Sequence, residues 1–296
     1  MWDDYLLPQS VDEALDMLDT HGGEARIIAG GTDLTIQSQR GRVQSKVMVD
    51  ITRIPVLDRI DEKDGYVHVG ARVTHAEVAA SPLIRARAGV LAEASSSVGG
   101  PQIRNVGTLV GNVVNALPAA DGAIALFALD AEAEVAERTG RRWMPMADLY
   151  GGVGRSTVDS SKAMITQLRF RALADGDGSA FERLAKRKAL ILPILNAGVV
   201  VRMGDGAVER ARIAIGPVAT TPFVAIEAAE RLVGRAPNGA AAAQAAKLAS
   251  EAAQPRYSLL RGSAEYRKAM VEVLVRRALM RALGLTSGEE GGDADS

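Results

Sequence analysis

Cysteine is absent from this 296-residue chain. Its absence excludes disulfides, thiol nucleophiles, cysteine-ligated zinc and all-cysteine iron–sulfur clusters on this polypeptide. Histidine is scarce: His21, His68 and His75 are the full set, and no two stand at a metal-ligating spacing such as H-E-x-x-H. No apolar run approaches the roughly 18 residues of a membrane span. The start, Met1-Trp2-Asp3-Asp4-Tyr5, is acidic where a secretory leader would be basic. Together these features predict a cytoplasmic protein without a membrane span. Neither sign of charge is in excess, with 35 Lys plus Arg against 36 Asp plus Glu. Such a balance argues against nucleic acid or an anionic membrane as the main partner.

What is present is a globular composition, 47% hydrophobic and 24% charged, on a chain long enough for two ordinary domains. Glycine is over-represented at 30 residues. The backbone itself is therefore expected to do work that side chains would obstruct.

Ser10-Val11-Asp12-Glu13 reads as a capping box, followed by Ala14, Leu15 and Leu18 at helical spacing and a stop at His21-Gly22-Gly23. Short strands are expected at Arg26–Ala29, Val47–Asp50 and Tyr66–Val69. Thr74-His75-Ala76-Glu77 is a second capping box, opening a helix that should end near Ser81-Pro82. Residues 95–121 are too apolar for a linker and too rich in turn residues for a regular element. Strands resume at Ala131–Glu137 and Ala163–Phe170, with a glycine-rich connection, Gly151–Arg155, between them.

The small, polar segment Ala172–Ala180 is the best domain boundary, expected to be flexible. Beyond it, Ala197–Met203 and Arg210–Gly216 look like paired strands turned at Gly204-Asp205-Gly206. Helices follow around Ala225–Leu232, Ala240–Ala253 and Ala264–Leu283. Thr286–Ser296 is acidic and glycine-rich, the composition of a disordered tail. Strands and helices do not alternate as regular βαβ units, so the class is α+β: a first domain over 1–175, a second over 176–285, and the tail 286–296.

Two glycine loops stand out. Ile27-Ile28-Ala29-Gly30-Gly31-Thr32-Asp33-Leu34 takes a strand into a Gly pair that can expose several N–H groups on one concave surface, suited to a diphosphate. Gly107-Thr108-Leu109-Val110-Gly111-Asn112 is the second, with Asp121 downstream as an acceptor for ligand hydroxyls. Each loop alone also reads as an ordinary tight turn. Two on one domain are worth more, because a dinucleotide needs more than one cradle. The Rossmann fingerprint is absent, and Gly152-Val153-Gly154-Arg155-Ser156-Thr157 lacks both the lysine and the first glycine of a P-loop.

These loops carry a family resemblance. Residues 28–34 resemble the first FAD-binding loop of the flavoprotein subunits of the xanthine dehydrogenase and carbon monoxide dehydrogenase (molybdenum hydroxylase) family. Val98–Thr108 through Asp121, including Ile103, is similar to the second. The family pattern there is Thr-x-Gly-Gly-Asn followed by Pro-x-x-Asp. Here Val110 stands where the family has its first glycine, while Gly111, Asn112, Pro118 and Asp121 fit. Phe181–Ala189 resembles the opening of the family's C-terminal domain, whose basic residues lie near the flavin; Arg183 or Lys186 would fill that role.

The resemblance implies a two-lobed FAD-binding domain of the PCMH type, then a small α/β C-terminal domain with an antiparallel sheet and helices. FAD would be held by residues 27–34 and 107–112, with Asp121 as a polar neighbour and Ile165 as an apolar wall. For Ile165, plain core packing is an equal reading. Partners implied are a small subunit with two [2Fe–2S] clusters and a large molybdenum–pterin subunit, arranged as a dimer of heterotrimers. Electrons would pass through the clusters to FAD and on to NAD, a quinone or oxygen. No acid–base or nucleophile set is evident, and a flavin needs none. The alternatives are a stand-alone FAD-dependent reductase of similar fold and a non-catalytic interaction module. His68 and His75 read as structural or solvated. The basic set Arg256, Arg261, Arg267, Lys268, Arg276 and Arg277 is a docking face or a solvated helix surface.

Overall fold

A computed structural model describes residues 2–187 and 189–285. The acidic tail expected over 286–296 lies outside these residues.

The chain begins with β1 (Asp4–Leu6), α1 (Val11–Thr20), β2 (Ala25–Ile28), α2 (Leu34–Gln39) and β3 (Val47–Asp50). The three strands form a parallel sheet in the order β1-β3-β2. The Ser10 hydroxyl accepts the Glu13 N–H at 3.1 Å, and the Glu13 carboxylate accepts from the Gln9 N–H, so the first cap is closed from both sides. Val11, Ala14, Leu15 and Leu18 then bury one face of α1.

The second lobe comprises β4 (Ile60–Lys63), β5 (Tyr66–Gly70), α3 (His75–Ala80), α4 (Pro82–Arg87), α5 (Gly89–Ser97), α6 (Pro101–Arg104), α7 (Leu109–Val114), α8 (Asp121–Ala128), β6 (Glu132–Glu137), β7 (Gly140–Pro145), the small hairpin β8 (Tyr150–Gly152) and β9 (Arg155–Ser156), and β10 (Met164–Arg171). Its main sheet is antiparallel in the order β4-β5-β10-β6-β7. Val67 and Val69 point inward and His68 outward, as the alternation of β5 requires. The expected capping box of α3 is complete, with Thr74 and Glu77 bonding each other's N–H groups. Residues 95–121 correct the expectation of irregular chain: they hold the end of α5, then α6 and α7, and lead into α8.

The C-terminal unit contains β11 (Gly178–Leu184), β12 (Leu195–Gly204), β13 (Ala207–Gly216), β14 (Phe223–Val224), α9 (Ile226–Glu230), α10 (Gly239–Ala252) and α11 (Ala264–Ala282). Its sheet is antiparallel, β11-β12-β13-β14, and α10 and α11 pack together with α11 against β11 and β12. The β12–β13 turn has Asp205 and Gly206 both at positive φ, the two-residue geometry anticipated from sequence. A separate apolar core joins this sheet to the alanine-rich face of α10 and to Val271, Leu274 and Val275 of α11.

Between β10 and β11 the chain is tied down, where a flexible segment was expected. The Asp177 carboxylate accepts from the Ala174 N–H at 2.9 Å, the Met203 N–H at 2.9 Å and the Arg202 guanidinium at 3.2 Å. Phe181, Val200 and Ala214 reach back into the core of the first two lobes.

Candidate functional site

The first loop leaves β2 at Ile28 and reaches α2 at Leu34. Gly31 sits at φ +64°, the left-handed region that favours glycine. Among the described residues, no acceptor pairs with the N–H groups of Gly30, Gly31, Thr32, Asp33 or Leu34. Asp33 holds the cap position of α2 without capping it. Desolvation pushes its carboxyl up, opposed by a hydrogen bond from Asn115.

The second loop lies directly against the first. A Cβ on Gly30 would overlap the Val106 carbonyl and approach the Gly107 Cα to 3.0 Å. Gly107 in turn faces the Thr32 hydroxyl. The glycines thus let two backbone segments from different lobes meet, which sequence spacing alone did not reveal.

The second loop is held from behind. Its Gly107 carbonyl accepts the His75 N–H at 3.0 Å, and the Leu109 N–H bonds the Val73 carbonyl. The Thr108 hydroxyl caps α7 through the Gly111 N–H at 3.0 Å. The Asn112 side chain accepts the Ala123 N–H at 3.2 Å, joining α7 to the first turn of α8. Val110, the departure from the family pattern, is 6% exposed and turns its side chain into the core. A Cβ there does not intrude on the loop surface. Ile103 is exposed and packs over Gly99, whose Cβ would touch it.

Asp121 opens α8 and is buried, but its carboxylate is spoken for. Asn196 donates to it at 2.7 Å and the Arg183 Nε at 3.2 Å. Burial pushes the Asp121 carboxyl up, while Arg183, Asn196 and Ser97 pull it down. These donors share the carboxylate that the sequence offered as an acceptor for ligand hydroxyls. Arg183 also donates to the Ile191 carbonyl, so it fastens the chain after β11 to the start of α8. Lys186 is exposed and stands apart from this network. Ile165 is 3% exposed on β10 and belongs to the core, as the packing alternative had it.

Sequence reasoning missed Asn196, for which a lone Asn inside the apolar run of β12 was the available signal. His75 takes the structural place of the two readings offered for it. His75 is buried against Gly122, its Nδ1 has no partner, and burial, then Arg104, lowers its pKa to about 4. The first glycine loop is partly exposed along residues 29–34. A cleft of about 320 Å³ lies elsewhere, at the far end of α8, lined by Tyr66, Arg171, Arg202 and Arg212 among others.

Residues 2–170 match the FAD binding domain in molybdopterin dehydrogenase, and 180–282 match the CO dehydrogenase flavoprotein C-terminal domain. The carbon monoxide dehydrogenase medium chain of Hydrogenophaga pseudoflava is 33% identical over 94% of this chain and 96% of its own length. The nicotinate dehydrogenase FAD-subunit of Eubacterium barkeri is 33% identical over 78% and 79%. Among solved structures, carbon monoxide dehydrogenase from Hydrogenophaga pseudoflava lacking the Mo-pyranopterin moiety superposes with a TM-score of 0.89 at 32% identity, covering 96% of this chain and 98% of that one. Quinoline 2-oxidoreductase from Pseudomonas putida 86 gives 0.87 at 27% identity, with 96% and 97% covered. With both of its domains matched and relatives aligned along nearly its whole length, the chain belongs to the FAD-binding subunits of the molybdenum hydroxylase family.

Proposed function

We propose that this chain is the FAD-carrying electron-transfer subunit of a cytoplasmic molybdenum hydroxylase complex. The observation that carries the reading is the apposition of the two glycine loops at Gly30 and Val106-Gly107, with a run of unused N–H groups from Gly30 to Leu34. Backbone donors gathered on a surface without Cβ atoms suit a diphosphate. The residues present therefore fit the cofactor.

Residues 27–34 and 107–112 would hold the diphosphate and ribityl chain, with Thr32 and the Ile103 side chain at the rim. Arg183 and Asp121 would act from behind, fixing the start of α8 against the C-terminal sheet. Bound flavin supplies the redox chemistry, accepting and passing on electrons. The protein's own part is to bind and orient it.

Partners are a small iron–sulfur subunit and a large molybdenum–pterin subunit, in a dimer of heterotrimers. This division accords with a chain free of cysteine. The acceptor would be NAD, a quinone or oxygen.

The test is native co-purification with the two partner chains, a visible spectrum, and identification of the released chromophore. FAD at one per chain, reduced when substrate is given to the assembled complex and left oxidised in the isolated chain, is the expected result. A chain that stays colourless after incubation with excess FAD would return both loops to plain turns.

A further inference from the structure

The cleft at the far end of α8 shares no residue with the two glycine loops. Its walls come from two sheets in different parts of the chain. On β12 and β13 the register pairs Val200 with Arg212 and Arg202 with Arg210, so these four side chains share one face. That face looks towards the second lobe, because Val200 belongs to the core there. On the other sheet, β10 and β5 pair Arg171 with Tyr66. Residues 128–131, where α8 ends, also line the cleft.

Four arginines line this space, and their partners differ. Arg202 is engaged: its guanidinium donates to Asp177 and to the Arg171 and Ala172 carbonyls. Glu132 is likewise taken, by Arg169 Nη2 and Nε at 2.7 and 2.8 Å. Arg210 and Arg212 both meet Asp130, at 2.6 and 3.1 Å. One carboxylate cannot neutralise two guanidiniums. Arg171 is exposed, and its side chain has no hydrogen bond or ion pair among the described residues. Its guanidinium lies 5.9 Å from the centre of the Tyr66 ring. Two positive charges in the cleft are therefore unmatched.

Asp130 is itself placed against local preference. It follows α8 at φ +55°, where glycine is the usual residue, and its charge sits at the negative end of the helix dipole. Its carboxylate nonetheless holds the forks of Arg210 and Arg212 side by side. A staple between the second lobe and the C-terminal sheet needs only one of them. Desolvation disfavours the Arg212 charge and Arg210 adds to this, beyond what Asp130 returns. An anion entering the cleft would relieve both.

Size narrows the ligand further. A volume of about 320 Å³ lies at the small end of ligand sites, which run to roughly 1,000 Å³. It suits a phosphate carrying a few carbons and not a dinucleotide. Paired guanidinium forks match phosphoryl oxygens, and a phosphate monoester brings close to two negative charges at pH ~7.

We propose that this cleft binds a small phosphate monoester, with its phosphoryl oxygens on Arg171, Arg210 and Arg212 and its carbon skeleton against Leu129 and Val200. The bound ligand would bridge the second lobe and the C-terminal sheet. The site stands whether or not the chain carries FAD.

Calorimetric titration of the full chain with glycerol phosphate at constant ionic strength, with and without saturating FAD, tests this. One site per chain is expected, unaffected by FAD. Arg171→Ala and Arg210→Ala should each weaken binding about tenfold or more, the scale of a lost charge-assisted hydrogen bond. Arg171 has no partner to lose, so its variant should unfold at the wild-type midpoint when no ligand is present. A wild-type chain that takes up no glycerol phosphate would overturn the site. Binding that either variant keeps at wild-type affinity, or that FAD displaces, would overturn it too, because the anion would then lie elsewhere, the glycine loops included. Succinate binding as tightly as glycerol phosphate would overturn the phosphate assignment and give the cleft to a dicarboxylate.

Discussion

Gly30 and Val106 approach so closely that any side chain on Gly30 would overlap the Val106 carbonyl. The first residue leaves the parallel sheet of one lobe and the second precedes α7 of the other. Gly30→Ala should therefore push the two loops apart. A stability loss of about 1–3 kcal/mol, the usual cost of overpacking, is expected, together with a larger loss of bound FAD. Denaturant unfolding and FAD per chain measure the two effects separately.

In the Asp121–Arg183 pair, spaced at 3.2 Å, Asp121 is buried and Arg183 largely so. Removing one partner leaves the other charge uncompensated. Arg183→Met should cost about 3–5 kcal/mol, and so should Asp121→Ala. Removing both should cost less than the sum, and a double-mutant cycle reads the difference. Additive losses would show that the two charges do not depend on each other.

Acid should weaken the fold through His75. Burial lowers its pKa to about 4, below the roughly 6.5 of an unfolded histidine. The unfolded chain thus binds a proton that the folded chain refuses. His75 contributes stability that is fully present above pH ~6.5 and is lost as pH falls towards 4. About 3 kcal/mol of pH-dependent stability is at stake over that window. His75→Gln, which cannot titrate, should flatten that part of the profile in denaturant midpoints taken from pH 7 to 4. An unchanged slope would place the acid sensitivity elsewhere.

Asp177 gathers two backbone N–H groups and Arg202. Asp177→Ala should cost about 3 kcal/mol, as partly buried donors lose their acceptor. Faster proteolysis within 172–180 should accompany it, since that carboxylate holds the segment down.

Local chemistry made much of the fold legible. The Ser10/Glu13 and Thr74/Glu77 caps act on hydrogen bonds three residues away, and the Asp205-Gly206 turn needs only two residues. The short helices of 101–114 escaped because four to six residues show no period, and Pro101 and Gly111 read as breakers. Helix α8 is buried on every side, so it has no polar face to betray it. In the site, the glycine loops were visible but their contact was not. Asp121 was singled out from its spacing, but its partners were not, because Arg183 and Asn196 reach it from strands more than sixty residues downstream.

The meeting of Gly30 with Val106-Gly107 has a thermodynamic corollary. A ligand cradled by both loops can bind only while the two lobes remain docked, so its occupancy and lobe closure are linked equilibria. Free cofactor in hundredfold excess over its dissociation constant would add about 2.7 kcal/mol to the docked state. Dilution would withdraw the same amount. Loss of flavin therefore leaves the lobes docked but easier to part, and the midpoint of their separation moves with cofactor concentration.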